Sequence, residues 1–128
     1  MIQRRTVGIV GTGNVGTAAA YALYNQGLAS EILLHDKDTR RAEGEAMDLM
    51  HGQLLVGRVT CRSVGYDAMA DAQVIVLAAG SGQKSPDESR LDLLNRNARI
   101  FEDIITELDE HAPEAILVVA TNPVDILT

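Results

Sequence analysis

The run Gly11-Thr12-Gly13-Asn14-Val15-Gly16 follows directly on the apolar stretch Thr6-Val7-Gly8-Ile9-Val10. A strand, three glycines at this spacing and then a helical segment leave the backbone few ways to fold. Gly11 suits a tight turn that a side chain would obstruct. Gly13 has no Cβ, so phosphate groups can lie against the backbone, and Gly16 lets the following helix pack close to the strand. The N–H groups and the positive dipole end of that helix then face the phosphates, and Asn14 and Val15 belong to the same cradle. Twenty residues beyond Gly16, Asp36 closes a second apolar run, Ile32-Leu33-Leu34-His35. An acid there accepts hydrogen bonds from the adenosine ribose hydroxyls and repels a 2′-phosphate, so the pattern predicts NAD over NADP. Lys37, Arg40 and Arg41 lie nearby and soften that preference. The glycine motif alone is equally a strand-to-helix turn that binds nothing. The strand before it and the acid after it weigh against that reading.

Apolar runs and helical periods alternate along the rest of the chain. Strands are expected at Thr6–Val10, Glu31–Asp36, Arg58–Ser63, Ala72–Ala79 and Ala115–Ala120. The almost wholly apolar fourth run reads as a strand buried on both faces. The first helix runs from Val15 to Gln26 with Gly27 as its stop. The second is capped by Asp38 or Thr39, presents Ala42, Ala46, Met47, Leu49 and Met50, and breaks around Gly52 or Gly57. The third places Leu91, Leu94, Ala98, Phe101, Ile105 and Leu108 at alternating steps of three and four, the clearest amphipathic pattern in the chain. Met47 and Met50 are expected as core fillers rather than a metal or redox site. The sum is an α/β fold, a doubly wound parallel sheet of the Rossmann type, most simply ordered 3-2-1-4-5. In such a sheet the strand ends carry the ligand site. The glycine turn, Asp36, the loop from Gly80 and Thr121-Asn122-Pro123 should therefore surround one crevice.

At 128 residues the chain is one domain. Only 3% of its residues are aromatic, so the core must be built of Val, Ile, Leu, Ala and Met. A net charge of −7 argues against a nucleic-acid-binding surface. Cys61 is the one cysteine, which excludes an internal disulfide and a cysteine-based metal cluster. No apolar run reaches transmembrane length, and Gln3-Arg4-Arg5 leads straight into a strand, so a soluble cytoplasmic protein away from any membrane is expected.

The loop Ser81-Gly82-Gln83-Lys84-Ser85-Pro86-Asp87-Glu88-Ser89-Arg90 is long for a strand-to-helix connection and reads as a lid over the crevice. Arg90 opens the following helix and by itself passes for a solvated surface residue. Asp87 and Glu88 are explained by the dipole of that helix and need no acid–base role. His35, inside the second strand, reads as structural. So do His51 and His111, which sit at helix ends where a protonated imidazole complements the dipole.

Taken together, Gly11–Gly16, Ala46-Met47-Asp48-Leu49-Met50-His51-Gly52, Ala79-Gly80, Gln83-Lys84, Glu88-Ser89-Arg90-Leu91-Asp92-Leu93 and Thr121–Thr128 resemble the N-terminal half of the lactate/malate dehydrogenase family, and more its lactate branch. The resemblance runs through essentially the whole chain. It implies hydride transfer between a 2-hydroxy acid and NAD in a homo-oligomer, with the helix from Thr39 to Met50 at a subunit contact. It implies that Arg90 polarises the substrate carbonyl when the loop closes. Asn122 would hydrogen-bond the substrate oxygen and hold the nicotinamide side, with Thr121 beside it. Tyr66 and Arg41 would lie near the adenosine, and Gly80 and Ser81 would offer backbone to the cofactor.

Counted from Ala79-Gly80, Gln83 falls at the family's specificity position. A neutral Gln would leave the second carboxylate of a dicarboxylate buried and unpaired, which favours a monocarboxylate such as pyruvate. The loop is one residue longer than the usual family loop, and counted back from Arg90 the position becomes Lys84, which suits malate dehydrogenase. The family's catalytic His–Asp pair, its substrate-gripping arginine and its sixth strand fall beyond Thr128, so the 128-residue chain alone is expected to bind NAD without turnover. A non-catalytic NAD-binding sensor module is the reading from a different class, and Arg90 in a lid-like loop speaks against it.

Overall fold

The computed structural model describes residues 3–128. Five parallel strands form one sheet: β1 (Thr6–Val10), β2 (Glu31–His35), β3 (Thr60–Ser63), β4 (Val74–Leu77) and β5 (Ile116–Val119). Their order is β3-β2-β1-β4-β5, as the alternation of apolar and helical segments predicts. β1 is central. Val7 pairs with Ile32 on one side and Val74 on the other, so the two halves of the sheet meet at the strand that feeds the glycine turn.

Helices cover both faces. α1 (Asn14–Gln26) buries Gly16, Ala20 and Tyr24, one residue per turn along a single stripe. α2 (Thr39–His51) buries Ala42, Ala46 and Leu49 on the same face of the sheet, and the Asp38 side chain accepts the Arg41 N–H at its start. A single turn, α3 (Gln53–Val56), follows it. The opposite face is covered by a 3₁₀ helix at Tyr66–Asp71 and by α4 (Arg90–His111), whose Phe101, Ile104 and Leu108 pack with Val10, Leu33, Ile75 and Leu77. A last turn, α5, spans Val124–Leu127.

Several expectations change in the fold. The fourth strand is shorter than Ala72–Ala79: Ala72 caps the 3₁₀ helix, Ala78 and Ala79 already lie in the turn beside the crevice, and Val74 and Val76 are only half-buried. The buried stripe of α4 is Asn97, Phe101, Ile104 and Leu108, not the one through Ala98 and Ile105, because Ile104 and Ile105 are equally apolar and only Ile104 meets the core packed on the sheet. Ile105 and Leu91 face solvent. Met47 is 60% exposed and fills no core. Met50 does pack inward, and its sulfur accepts the Cys61 N–H at 3.1 Å. The outer strand β5 is open on its surface, with Ile116 66% exposed.

Cys61 is buried on β3, and burial pushes its thiol up to about 12. The thiolate is the reactive species. Iodoacetamide at pH 8 should therefore leave Cys61 unmodified in the folded chain and alkylate it in urea, as mass spectrometry will read. Equal rates in both conditions would contradict this burial.

Candidate functional site

At the carboxyl end of the sheet lies a crevice of about 440 Å³. Val10, Gly11 and Gly13 form one wall, His35, Asp36, Lys37 and Arg41 another, and Ala78, Ala79, Gly80, Tyr66 and residues of α4 close it. Of the residues that the sequence assigns to a dinucleotide, Gly11, Gly13, Asp36, Arg41, Tyr66 and Gly80 are thus brought together. Asn14, Val15, Gly16, Ser81, Thr121 and Asn122 stand outside this lining, as do Gln83 and Arg90. Val15 and Asn14 are exposed at the start of α1, Gly16 is buried beneath it, and the Thr121 side chain turns inward, its hydroxyl donating to the Leu77 and Ala79 carbonyls.

The turn is built as its glycines require. Gly11 has φ +101°, and a Cβ there would stand 2.4 Å from the Ala79 nitrogen. A Cβ on Gly16 would stand 1.8 Å from the Gly11 carbonyl oxygen, so α1 begins at the closest approach its backbone allows. Gly13 differs: open space surrounds the position of its missing Cβ. It is also the N-cap of α1 without a side-chain acceptor. The first N–H groups of the helix are therefore left for an anionic ligand, and a pyrophosphate fits that cradle.

Asp36 does more than the sequence indicates. One carboxylate oxygen accepts the Thr12 N–H at 2.7 Å and the Thr12 hydroxyl at 2.8 Å, and the other accepts the Asp38 N–H at 2.9 Å. It locks the glycine turn to the end of β2 while lining the crevice. Burial raises its pKa, but the hydrogen bonds from Thr12 and Asp38 and the nearby Arg41 outweigh that, and the carboxyl is held below its ordinary value. It is ionised at neutral pH, as repulsion of a 2′-phosphate requires. Tyr66, half-buried, packs against His35 with ring centroids 4.0 Å apart and planes tilted by 40°. Burial first, then Glu107, Asp103 and Asp36, push its phenol up, so it stays a neutral flat surface on the crevice wall.

The loop after β4 is held by two residues that sequence reasoning missed. Arg96, one turn and a half into α4, donates to both Glu88 oxygens, to the Ser81 hydroxyl and to the Gly82 carbonyl. Asn97 is 2% exposed and joins the loop after β4 to the loop after β5. Neither has a sequence signature, because their partners lie 8 to 25 positions away. Inside the loop, Gln83 donates to the Glu88 carbonyl at 3.0 Å and the Lys84 N–H to the Glu88 carboxylate at 2.7 Å. The Arg96 guanidinium, with the Lys84 N–H, holds the Glu88 carboxyl down at about 2. Because this carboxyl is depressed when folded, its contribution is complete above the ordinary value of 4.5 and vanishes as pH falls through about 2. Amide exchange in the loop should stay slow down to the low end of that window and rise below it. A loop already loosened at pH 5 would contradict the arrangement.

The model of the lactate/malate dehydrogenase NAD binding domain matches residues 5–128. The chain belongs to the lactate/malate dehydrogenase family. It is 77% identical over its full length to an L-lactate dehydrogenase of Salinibacter ruber and 47% identical over 122 residues to that of Thermus aquaticus. A minor L-lactate dehydrogenase from Enterococcus mundtii, solved with ligands bound, superposes with a TM-score of 0.92 at 46% identity, covering 97% of this chain and 40% of that one. A lactate dehydrogenase from a deep-sea metagenome library gives 0.90 at 42% identity, covering 98% of this chain and 40% of that one. The chain spans 40% of the Salinibacter protein and 39% of the Thermus protein. The cofactor of this NAD-binding domain is NAD, in keeping with the acid at position 36.

In this dehydrogenase domain, Asp36→Ala is expected to weaken NADH binding about tenfold, the worth of one charge-assisted hydrogen bond. It should also narrow the preference over NADPH by at least as much. Asp36→Asn should relax the preference while keeping an acceptor for Thr12. Calorimetric titration with both cofactors checks this, and an unchanged NADH-to-NADPH ratio in Asp36→Ala would remove the assigned role.

Proposed function

We propose that this chain is the cofactor-binding part of an NAD-dependent L-lactate dehydrogenase that interconverts L-lactate and pyruvate. The carrying observation is the crevice at the strand ends, where the glycine turn, ionised Asp36 and Gly80 converge. The chain's similarity to L-lactate dehydrogenases supports the lactate branch, and so does Gln83, the neutral side chain that counting from Ala79-Gly80 puts at the family's specificity position, where counting back from Arg90 puts Lys84. Bound NAD supplies the hydride acceptor. Arg90, exposed at the head of α4, is assigned to polarise the substrate carbonyl once the loop closes, its charge stabilising the developing alkoxide. Asn122, exposed after β5, is assigned to the substrate oxygen and the nicotinamide side. The backbones of Ser81 and Thr121 are assigned to the cofactor with them.

Turnover needs a general base, and none of the three histidines serves. The His35 ring pairs with the Val64 carbonyl at 2.9 Å, His111 with the Glu107 carbonyl at 2.9 Å, and His51 sits at the exposed end of α2. We place the base, the substrate-gripping cation and a substrate domain outside residues 1–128. We also infer a homo-oligomer of the cytoplasm. Met47, Leu54 and Leu55, 60%, 100% and 91% exposed, support a subunit contact along α2 and α3.

The test is steady-state kinetics of the complete protein with pyruvate and with oxaloacetate, using NADH and NADPH. A higher kcat/KM for pyruvate with NADH is expected. Preference for oxaloacetate would assign the malate branch, and no reduction of either would end the dehydrogenase reading.

A further inference from the structure

The structure assigns Asn97 a positioning role: through its side-chain amide it ties the substrate-side loops after β4 and β5 to each other and sets where Asn122 stands. Asn97 Oδ1 accepts the Ser81 N–H at 2.9 Å, and Nδ2 donates to the Asn122 carbonyl at 2.9 Å. One planar group thus spans two loops that no strand pairing connects beyond Leu77 and Val119. The site around it is tightly fitted. A Cβ on Gly80 would stand 2.6 Å from the Thr121 Cγ2 and 3.4 Å from Asn97 Oδ1, so the three residues fix one spacing between the loops.

A buried amide is an expensive way to fill a helix stripe that otherwise holds Phe101, Ile104 and Leu108. Packing alone would be served by leucine. The amide is unusual in offering an acceptor and a donor at once, and the two loops present one N–H and one carbonyl. Only a side chain with both can satisfy them together. A 1 Å displacement of a positioned group costs on the order of 100-fold in rate. Asn97 is 2% exposed and stands outside the crevice lining. It acts through the Asn122 backbone on one side and through Ser81, the first residue of the Arg90 loop, on the other.

This role rests on the dehydrogenase reading above for its kinetic consequence but not for the tie itself. The experiment compares Asn97→Ala, Asn97→Asp and Leu108→Val in the complete protein. Leu108→Val is a buried change on the same helix remote from both loops, and it controls for loss of stability. Asn97→Asp keeps the acceptor for Ser81 and sets an oxygen against the Asn122 carbonyl. Hydrogen exchange read by mass spectrometry should rise in residues 81–90 and 120–124 together in Asn97→Ala, and not in Leu108→Val. With pyruvate, both Asn97 variants should lose 10- to 100-fold in kcat, while the NADH dissociation constant changes less than threefold and Leu108→Val keeps its kcat. Unchanged exchange in either loop overturns the tie. Coupled exchange with intact kcat in an active enzyme overturns the positioning role. Coupled exchange in a protein that reduces no 2-oxo acid retains the tie and discards the lactate dehydrogenase reading instead.

Discussion

Alanine at Gly13 and alanine at Gly16 should separate cofactor binding from folding, although the two residues lie in one turn. Gly16→Ala places a methyl carbon 1.8 Å from the Gly11 carbonyl oxygen and 2.9 Å from its carbon. Both are backbone atoms, and Gly11 is itself fixed against the Ala79 nitrogen, so neither partner can yield cheaply. Relief requires α1 to lift from β1 and give up the packing of Ala20 and Tyr24. Overpacking of an ordinary core costs about 1–3 kcal/mol, and a backbone collision belongs at or above the top of that range. Against a typical domain stability of roughly 5–15 kcal/mol, this should lower Tm by about 10 °C or leave the chain unfolded.

Gly13→Ala meets nothing within 4 Å, and its φ of −74° suits any residue. Its melting temperature should change little, yet on the assignment of Gly13 to the phosphate cradle the methyl group would fill open space meant for the pyrophosphate. NADH affinity should fall by tenfold or more. Thermal melting and NADH titration of both variants decide the matter. A destabilised Gly13→Ala, or a fully stable Gly16→Ala, would contradict the geometry of the turn.

The second large effect is at Arg90. It is exposed, with its N-cap Ser89 accepting the Asp92 N–H, so the helix start does not depend on the guanidinium. Arg90→Gln should therefore fold and bind NADH as the parent does. If Arg90 stabilises charge that develops on the substrate oxygen, its loss should cost kcat about 10²–10³-fold, the range for removing one such donor. KM for pyruvate should rise less than kcat falls, because the contact strengthens on the way to the transition state. A Glu88→Gln control loosens the loop without removing the charge, and should leave most of kcat. Equal losses in the two variants would mean that loop order, not the Arg90 cation, is what the reaction requires.

Local stereochemistry made the glycine-turn wall of the crevice legible in the sequence. The strand, the glycine turn and α1 are consecutive, and Gly11 and Gly16 answer steric demands from residues within the same unit or one strand away, while Gly13 leaves open space. Asp36 was legible because the end of the next parallel strand has a fixed place beside that turn. Strand order followed from the alternation of apolar runs with helical periods, since parallel neighbours require crossovers. Even here the sequence shows only part: the bonds from Thr12 to Asp36 make the acid a brace for the turn as well as a lining residue of the crevice.

Tertiary structure alone decided what depends on distant partners. Periodicity could not choose between Ile104 and Ile105, because both are apolar and only contact with the sheet distinguishes them. The 3₁₀ helix that brings Met69 into the core and Tyr66 to the crevice carries no strong periodic signal in six residues. Arg96 and Asn97 read as polar residues on a helix surface. They became the anchor of the loop after β4 and the tie to Asn122 only when folding set β4, β5 and α4 side by side. A hydrogen bond between residues 16 or 25 positions apart leaves no pattern along the chain, because its geometry exists only after the sheet has assembled.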